Sequence, residues 1–191
     1  MSWTTGTQAE CLGSSDANGS AYASSASATS VSPASGAAFL QSNFWLPSYG
    51  SNKRLLVKAY GVLSTTGTPN LTIGITANTG QGTYNSGGIL ATTPVTAQAS
   101  GVTNVEWDLE CMITNVTTGA SGTFLAMGRV LVYTASTTIQ SMRLSSSAAN
   151  PNTAATLSTQ AAYYIEQFAT WGTSSASNSL TVYDYSVYGV N

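Results

Sequence analysis

The sequence predicts an all-β fold, an antiparallel β-sandwich over residues 37–191 with an extended N-terminal arm over residues 1–36. Three observations predict it. Short apolar segments are separated by clusters of Gly, Pro, Asn, Ser and Thr, several of those segments alternate apolar and polar residues, and no window carries a sustained apolar stripe at helical spacing.

The arm is defined by composition. SSDANGSAYASSASATSVSPASG is low in complexity, without Lys or Arg and without a hydrophobic period, which taken alone describes a linker or tail. Such a segment buries too little apolar surface to offset its own ordering entropy, so an ordered arm needs support from outside its sequence. The expectation is an arm laid across neighbouring subunits, with Trp3, Leu12 and Tyr22 as anchors.

From residue 37 the expected strands are Ala38–Leu46, Arg54–Leu63, Leu71–Thr76, Gly88–Thr92, Val105–Val116, Thr123–Thr134, Thr138–Ser145, Tyr163–Trp171 and Ser179–Val190. Turn-rich connectors such as Thr65–Asn70 and Asn150–Asn152 separate them. The Ala and Gln content of Ala135–Ala162 leaves room for one short helix. Gly80–Gly88 reads as a loop, because it neither leads a strand into a helix nor ends in Lys-Ser/Thr as a phosphate cradle would.

Two strands specify their own register. Val105, Trp107, Leu109, Cys111 and Ile113 share one face, with Glu106, Asp108, Glu110, Met112 and Thr114 on the other. In the next strand Phe124, Ala126, Gly128, Val130 and Val132 oppose Leu125, Met127, Arg129, Leu131 and Tyr133. A hairpin whose paired positions sum to 239 sets large against small on the buried face: Trp107 meets Val132, Cys111 meets Gly128 and Ile113 meets Ala126. It also sets Glu110 opposite Arg129, a pair that a two-residue slip would lose. Its outer face carries Met112, Leu125, Met127 and Leu131, an apolar surface expected to meet a partner or a second layer, with Glu110 and Arg129 beside it. In Leu71–Thr76 the polar side is Thr72, Gly74 and Thr76, a flat face that another backbone could approach.

Composition narrows function. Charged residues are 6% of the 191, against about 25% in ordinary soluble domains. Five basic residues are too few for a strong nucleic-acid footprint, and the absence of histidine removes Ser-His-Asp and Cys-His chemistry and imidazole metal sites. No run of about 18 apolar residues suggests a membrane span, and the first residues lack the basic region and apolar core of a secretory signal. Reduced thiols in a cytoplasm are therefore expected, with Cys111 a small buried hydrophobe. A hydrophobic content of 42% with 10 Tyr, 4 Trp and 4 Phe supports a core rather than disorder. A surface dominated by Ser, Thr, Ala, Gly and Asn costs little to desolvate and suits coverage by neighbours.

Three constellations merit a chemical reading. Glu106, Asp108 and Glu110 share a strand face about 7 Å apart, either as a solvated face with cross-strand pairs, an intersubunit ion-pair site, a glycosidase-type carboxylate pair or a Ca²⁺ site. Lys53, Arg54 and Lys58 either protect a strand edge or contact an acidic partner, such as another copy's Glu106–Glu110 face. The final strand alternates Tyr183, Tyr185 and Val187 with Val182, Asp184, Ser186 and Tyr188. Tyrosines at this spacing serve as sandwich packing, as an interface or as a sugar-binding platform.

The segment Ala169-Thr-Trp-Gly-Thr-Ser-Ser-Ala-Ser-Asn-Ser-Leu-Thr181, followed by the final alternating strand, resembles the closing hairpin of β-rich virion proteins of tailed bacteriophages. The unit Gly61-Val-Leu-Ser-Thr-Thr-Gly-Thr-Pro-Asn-Leu-Thr-Ile73 is similar to an earlier hairpin in that group. The resemblance covers about half the chain and implies a jelly-roll-like sandwich, commonly trimeric, attached to a capsid or another virion part. The function expected from it is that of a capsid decoration or cement protein, non-enzymatic and without cofactor or metal. Such a protein would self-associate as a homotrimer on the shell of the major capsid protein, at the virion surface, after assembly in the host cytoplasm. The alternative is a fibre or tail component, or a carbohydrate-binding module, contacting a host surface glycan. The Ser/Ala-rich arm departs from the group.

Overall fold

The computed structural model describes residues 9–15, 19–23, 25–32, 38–42, 44–45, 53–135 and 137–190. The regular structure of the described residues is antiparallel β apart from one 3₁₀ turn at Ser86–Gly88. In chain order the strands are β1 (Ala9–Ser15), β2 (Tyr22–Ala23), β3 (Thr29–Ser30), β4 (Ala38–Leu40), β5 (Arg54–Ser64), β6 (Asn70–Asn78) and β7 (Ile89–Thr92). They continue as β8 (Thr96–Ala97), β9 (Val105–Thr117), β10 (Gly122–Ala135), β11 (Thr138–Ser145), β12 (Ala155–Leu157), β13 (Tyr163–Trp171) and β14 (Ser179–Val190).

All 14 join one hydrogen-bonded sheet in the order β1-β14-β5-β9-β10-β11-β7-β6-β13-β3, with β2 on β14, β4 on β13, β8 on β6 and β12 on β10. The body strands nest: β5 pairs with β14, β6 with β13, β7 with β11, and β9 with β10. This is the wrapping of a folded-over antiparallel ribbon, as in a jelly roll, and it closes the sheet into a sandwich. The sheet is narrowest at the single β11–β7 pair, Ser145 with Thr92. The Tyr185 hydroxyl of β14 donates to the Ile165 carbonyl of β13 at 2.9 Å, joining strands that are remote along the sheet path.

Alternation builds the core. On β9 the inward residues Trp107, Leu109, Cys111 and Ile113 are at most 2% exposed, and Phe124, Val130 and Val132 of β10 are fully buried against them. Trp171 and Tyr185 complete the set of large enclosed rings. Burying a Leu or Phe side chain contributes roughly 1.5–3 kcal/mol before ordering costs, so this face holds the two strands in place. The β9–β10 register is the expected one, from Phe124 with Asn115 to Val132 with Trp107, shifting at Thr123. Gly128 is required there: a Cβ would stand 2.3 Å from the Glu110 carbonyl oxygen and 2.7 Å from the Cys111 Cα.

Five expectations change. Gly61–Ile73 and Ala169–Thr181, expected as hairpins, instead carry the chain from β5 to β6 and from β13 to β14, strands that pair across the two units (β5 with β14, β6 with β13) and not with one another. No short helix forms among the described residues of 135–162, because Ala155 and Leu157 are buried on alternate positions of β12, which pairs antiparallel with the start of β10 after a turn at Pro151 and Asn152. The expected Ala38–Leu46 strand is only β4, Ala38–Leu40, ended by a turn in which the Gln41 carbonyl accepts from the Phe44 amide at 3.0 Å. The described part of the arm lies on the chain's own sheet: β1 pairs with β14, β2 with β14 and β3 with β13. Backbone pairing to strands already held by the core supplies most of the order that the arm's composition lacks, and buried Tyr22 and Val31 add to it. Finally, a bulge in β14 between Val182 and Asp184 breaks the expected alternation, so that Tyr185 and Val187 are buried while Tyr183 and Asp184 stay half-buried.

The flat face of β6 is covered from within the chain. Gly74 leaves room for the Phe168 ring of β13, which a Cβ would meet at 2.4 Å, and Tyr84 of the 79–88 loop packs on that ring at 5.0 Å. Beneath the loop lies Glu166, 1% exposed. Its Oε2 accepts from Asn78 Nδ2 at 2.6 Å and Ser30 Oγ at 3.1 Å, and its Oε1 from the Gly82 amide at 2.7 Å.

Candidate functional site

The outward face of β5, β9 and β10 follows directly from their registers. Successive cross-strand rows are Arg54–Thr114–Leu125, Leu56–Met112–Met127, Lys58–Glu110–Arg129 and Tyr60–Asp108–Leu131. The face therefore runs from an apolar end, through a charged belt, to an end of tyrosines and carboxylates.

At the apolar end, Met127 is 81% exposed and Leu125 is 40% exposed, beside half-buried Met112. With Arg54, Pro151 and Asn152 they border a groove of about 470 Å³. Pro151 and Asn152 arrive from a loop 24 residues beyond Met127, so strand alternation could not have announced them. Leu131 lies across the charged belt, half-buried opposite Asp108, and does not join this groove.

In the belt, Lys58 Nζ lies 3.3 Å from Glu110 Oε2, with both side chains about half exposed at 50% and 53%. Arg129 takes its expected place opposite Glu110, yet the ion pair of Glu110 among the described residues is with Lys58. The basic and acidic clusters thus meet within one chain. Exposed pairs of this kind are worth about 0–1 kcal/mol.

At the far end, Tyr60, Glu106, Asp108, Tyr133 and Tyr183 surround a hollow of about 360 Å³ over Gly61 and Val62. The Tyr133 hydroxyl donates to Asp108 Oδ2 at 2.5 Å. That bond is the main cause of a raised Tyr133 pKa, followed by desolvation and the charges of Asp108 and Glu106, so the phenol keeps its proton. Tyr183 reaches the hollow as the extra residue of the β14 bulge. Gly61 is needed opposite it, since a Cβ there would stand 1.9 Å from the Thr181 carbonyl oxygen. Tyr185, read from sequence as sharing a face with Tyr183, is fully enclosed, and burial holds its hydroxyl well above the usual tyrosine range.

The arm residues divide. Trp3 lies outside the described residues. Tyr22 is 8% exposed, donating its hydroxyl to the Ser27 carbonyl at 2.6 Å and Ser25 at 2.9 Å, while Trp171 Nε1 donates to its carbonyl. It anchors the arm to its own chain. Leu12 is half-buried against the core beside Phe44, at a hollow of about 370 Å³ that Lys53 and Phe39 also line.

Neither cysteine is paired: Cys11 is exposed, and Cys111 is enclosed with its thiol pKa pushed up to about 12 by burial, against a lowering hydrogen bond at the Met127 backbone. Among the described residues, no three carboxylates or thiols converge as metal ligands, and no helix is long and apolar enough to cross a membrane. No model of a known protein family matches the chain, and no curated protein matches it.

Proposed function

We propose that the chain is a non-enzymatic virion structural protein of the capsid decoration or cement type. In this reading it binds as a homotrimer to the outer surface of a shell of major capsid protein and stabilises it. The observation that carries the reading is the apolar end of the β5–β9–β10 face, where Met127 and Leu125 stand exposed beside Met112 on a chain with 6% charged residues. An apolar patch rimmed by polar residues is the surface a protein partner covers. The resemblance of the segments Gly61–Ile73 and Ala169–Thr181 to tailed-phage virion proteins supplies the kind of partner; here the two segments are crossovers, β5 to β6 and β13 to β14, between strands that do not pair. Burying a Met or Leu side chain contributes roughly 1.5–3 kcal/mol, and repetition over a shell multiplies weak contacts into avidity.

The test is the composition of purified particles made by the genome that encodes the chain. The chain should be present in a fixed ratio to the major shell protein, and Met127→Asp should lower its occupancy at least about tenfold. Sedimentation of the free chain should give three times its monomer mass. Particles lacking the chain would overturn the reading.

A further inference from the structure

We propose that the hollow bounded by Tyr60, Glu106, Asp108, Tyr133 and Tyr183 is a binding site for a neutral saccharide. It lies on the same outward face as the apolar groove but six residues away along β9, about 20 Å at the usual strand rise, so the two surfaces can be occupied independently.

The chemistry of the lining selects the ligand. A volume of about 360 Å³ sits at the small end of the range for small-molecule sites, suited to one or two sugar rings. Tyrosine rings offer faces for the apolar C–H side of a pyranose and hydroxyls for its rim. The carboxylates of Glu106 and Asp108 are acceptors, matching vicinal hydroxyls that donate, and charge-assisted bonds of this type are the stronger kind. No Lys or Arg lines the hollow, and Arg129 acts on Tyr133 only from outside the lining, so a phosphate or an acidic sugar faces the carboxylates of Glu106 and Asp108 without a cation in contact. A bare cation is less well matched, because Asp108 already commits Oδ2 to the Tyr133 hydroxyl and no third carboxylate converges among the described residues.

The backbone is arranged for this hollow as well. The β14 bulge turns Tyr183 outward, out of its expected alternation, and bulges are a means of re-aiming a side chain beside a site. Gly61 lets β5 approach β14 closely at the floor of the hollow, where Val62 and Trp107 also line it.

The test uses the free full chain, so its outcome does not depend on any particle. Lactose, maltose, mannobiose and chitobiose are titrated by NMR at up to about 20 mM, with sialyllactose, choline and CaCl₂ alongside. At least one neutral disaccharide should shift the Tyr60, Tyr133 and Tyr183 signals together, with Kd in the millimolar range. Tyr60→Ala and Tyr183→Ala should each weaken it about tenfold, Asp108→Asn by less, and Met127→Ala not at all. Since Tyr60 is 52% exposed, its truncation leaves the core intact. No shift with any neutral sugar, shifts with choline or Ca²⁺ alone, or equal binding by Tyr183→Ala would each overturn the assignment.

Discussion

Glu166 is a carboxylate sealed under a loop and held by three donors, and replacing it by Gln isolates what those donors contribute. Ser30 belongs to β3 of the arm, Asn78 to β6, and Gly82 to the loop, so one side chain ties three segments to β13. Gln keeps the shape but has one oxygen. Its NH₂ must face either the Gly82 amide or the Asn78 amide, and the first arrangement is better because Ser30 and Asn78 then keep their acceptor. One charge-assisted bond, worth about 1.5–3 kcal/mol, is lost and a donor is left facing a donor. Relief of the buried charge offsets part of this, leaving a net cost of about 2 kcal/mol. For a chain of this size that is a fall in Tm of about 4–8 °C. Amide hydrogen exchange at Gly82 should quicken about thirtyfold, the same energy expressed as a ratio. An unchanged Tm together with unchanged exchange at Gly82 would refute the clamp.

Three further outcomes follow from buried groups. Iodoacetamide at mildly alkaline pH should modify Cys11 and spare Cys111 until the chain unfolds; labelling of both at equal rates in the native state would contradict the enclosed thiol. Because the folded Cys111 pKa of about 12 exceeds the unfolded value of about 8.5, the unfolded state alone loses that proton in between. The contribution of Cys111 is therefore present below about pH 8.5 and lost as pH rises toward 12, at up to about 1.4 kcal/mol per pH unit, measurable in urea midpoints. Gln167 is fully buried, and neither its Oε1 nor its Nε2 finds a protein partner among the described residues. Gln167→Met should raise stability by about 1–2 kcal/mol in urea denaturation, and a loss would show that the amide is satisfied.

How far the sequence reaches depends on where the information lies. The β9–β10 register was legible because large-against-small pairing and the Glu110–Arg129 opposition both reject a slip. The β14 bulge was not, because Tyr183 and Tyr185 satisfy period two in sequence and an inserted residue leaves no mark of its own. The arm's attachment was hidden for another reason: β1 and β3 are held by backbone groups, which every residue carries alike. Of the outward site, Glu106, Asp108, Met112, Leu125 and Met127 could be placed by alternation, whereas Pro151, Asn152 and Tyr60 join them only through tertiary proximity. Glu166 leaves no signal in the sequence because its donors lie at positions 30, 78 and 82, far from it in the chain.

The nested pairing also sets a folding order. β14 occupies the seat between β1 and β5, pairing Val190 with both Ala9 and Arg54. The two strands it bridges are made long before it, so until β14 arrives each waits with an open edge. Closing loops of this length is entropically slow, which places the chain among the millisecond-to-second folders rather than the microsecond ones. During that interval the exposed edge of β5 is a template for any other strand, including β14 of a second copy. Exchange of β14 between two incomplete chains is thus the characteristic misfolding hazard of this topology.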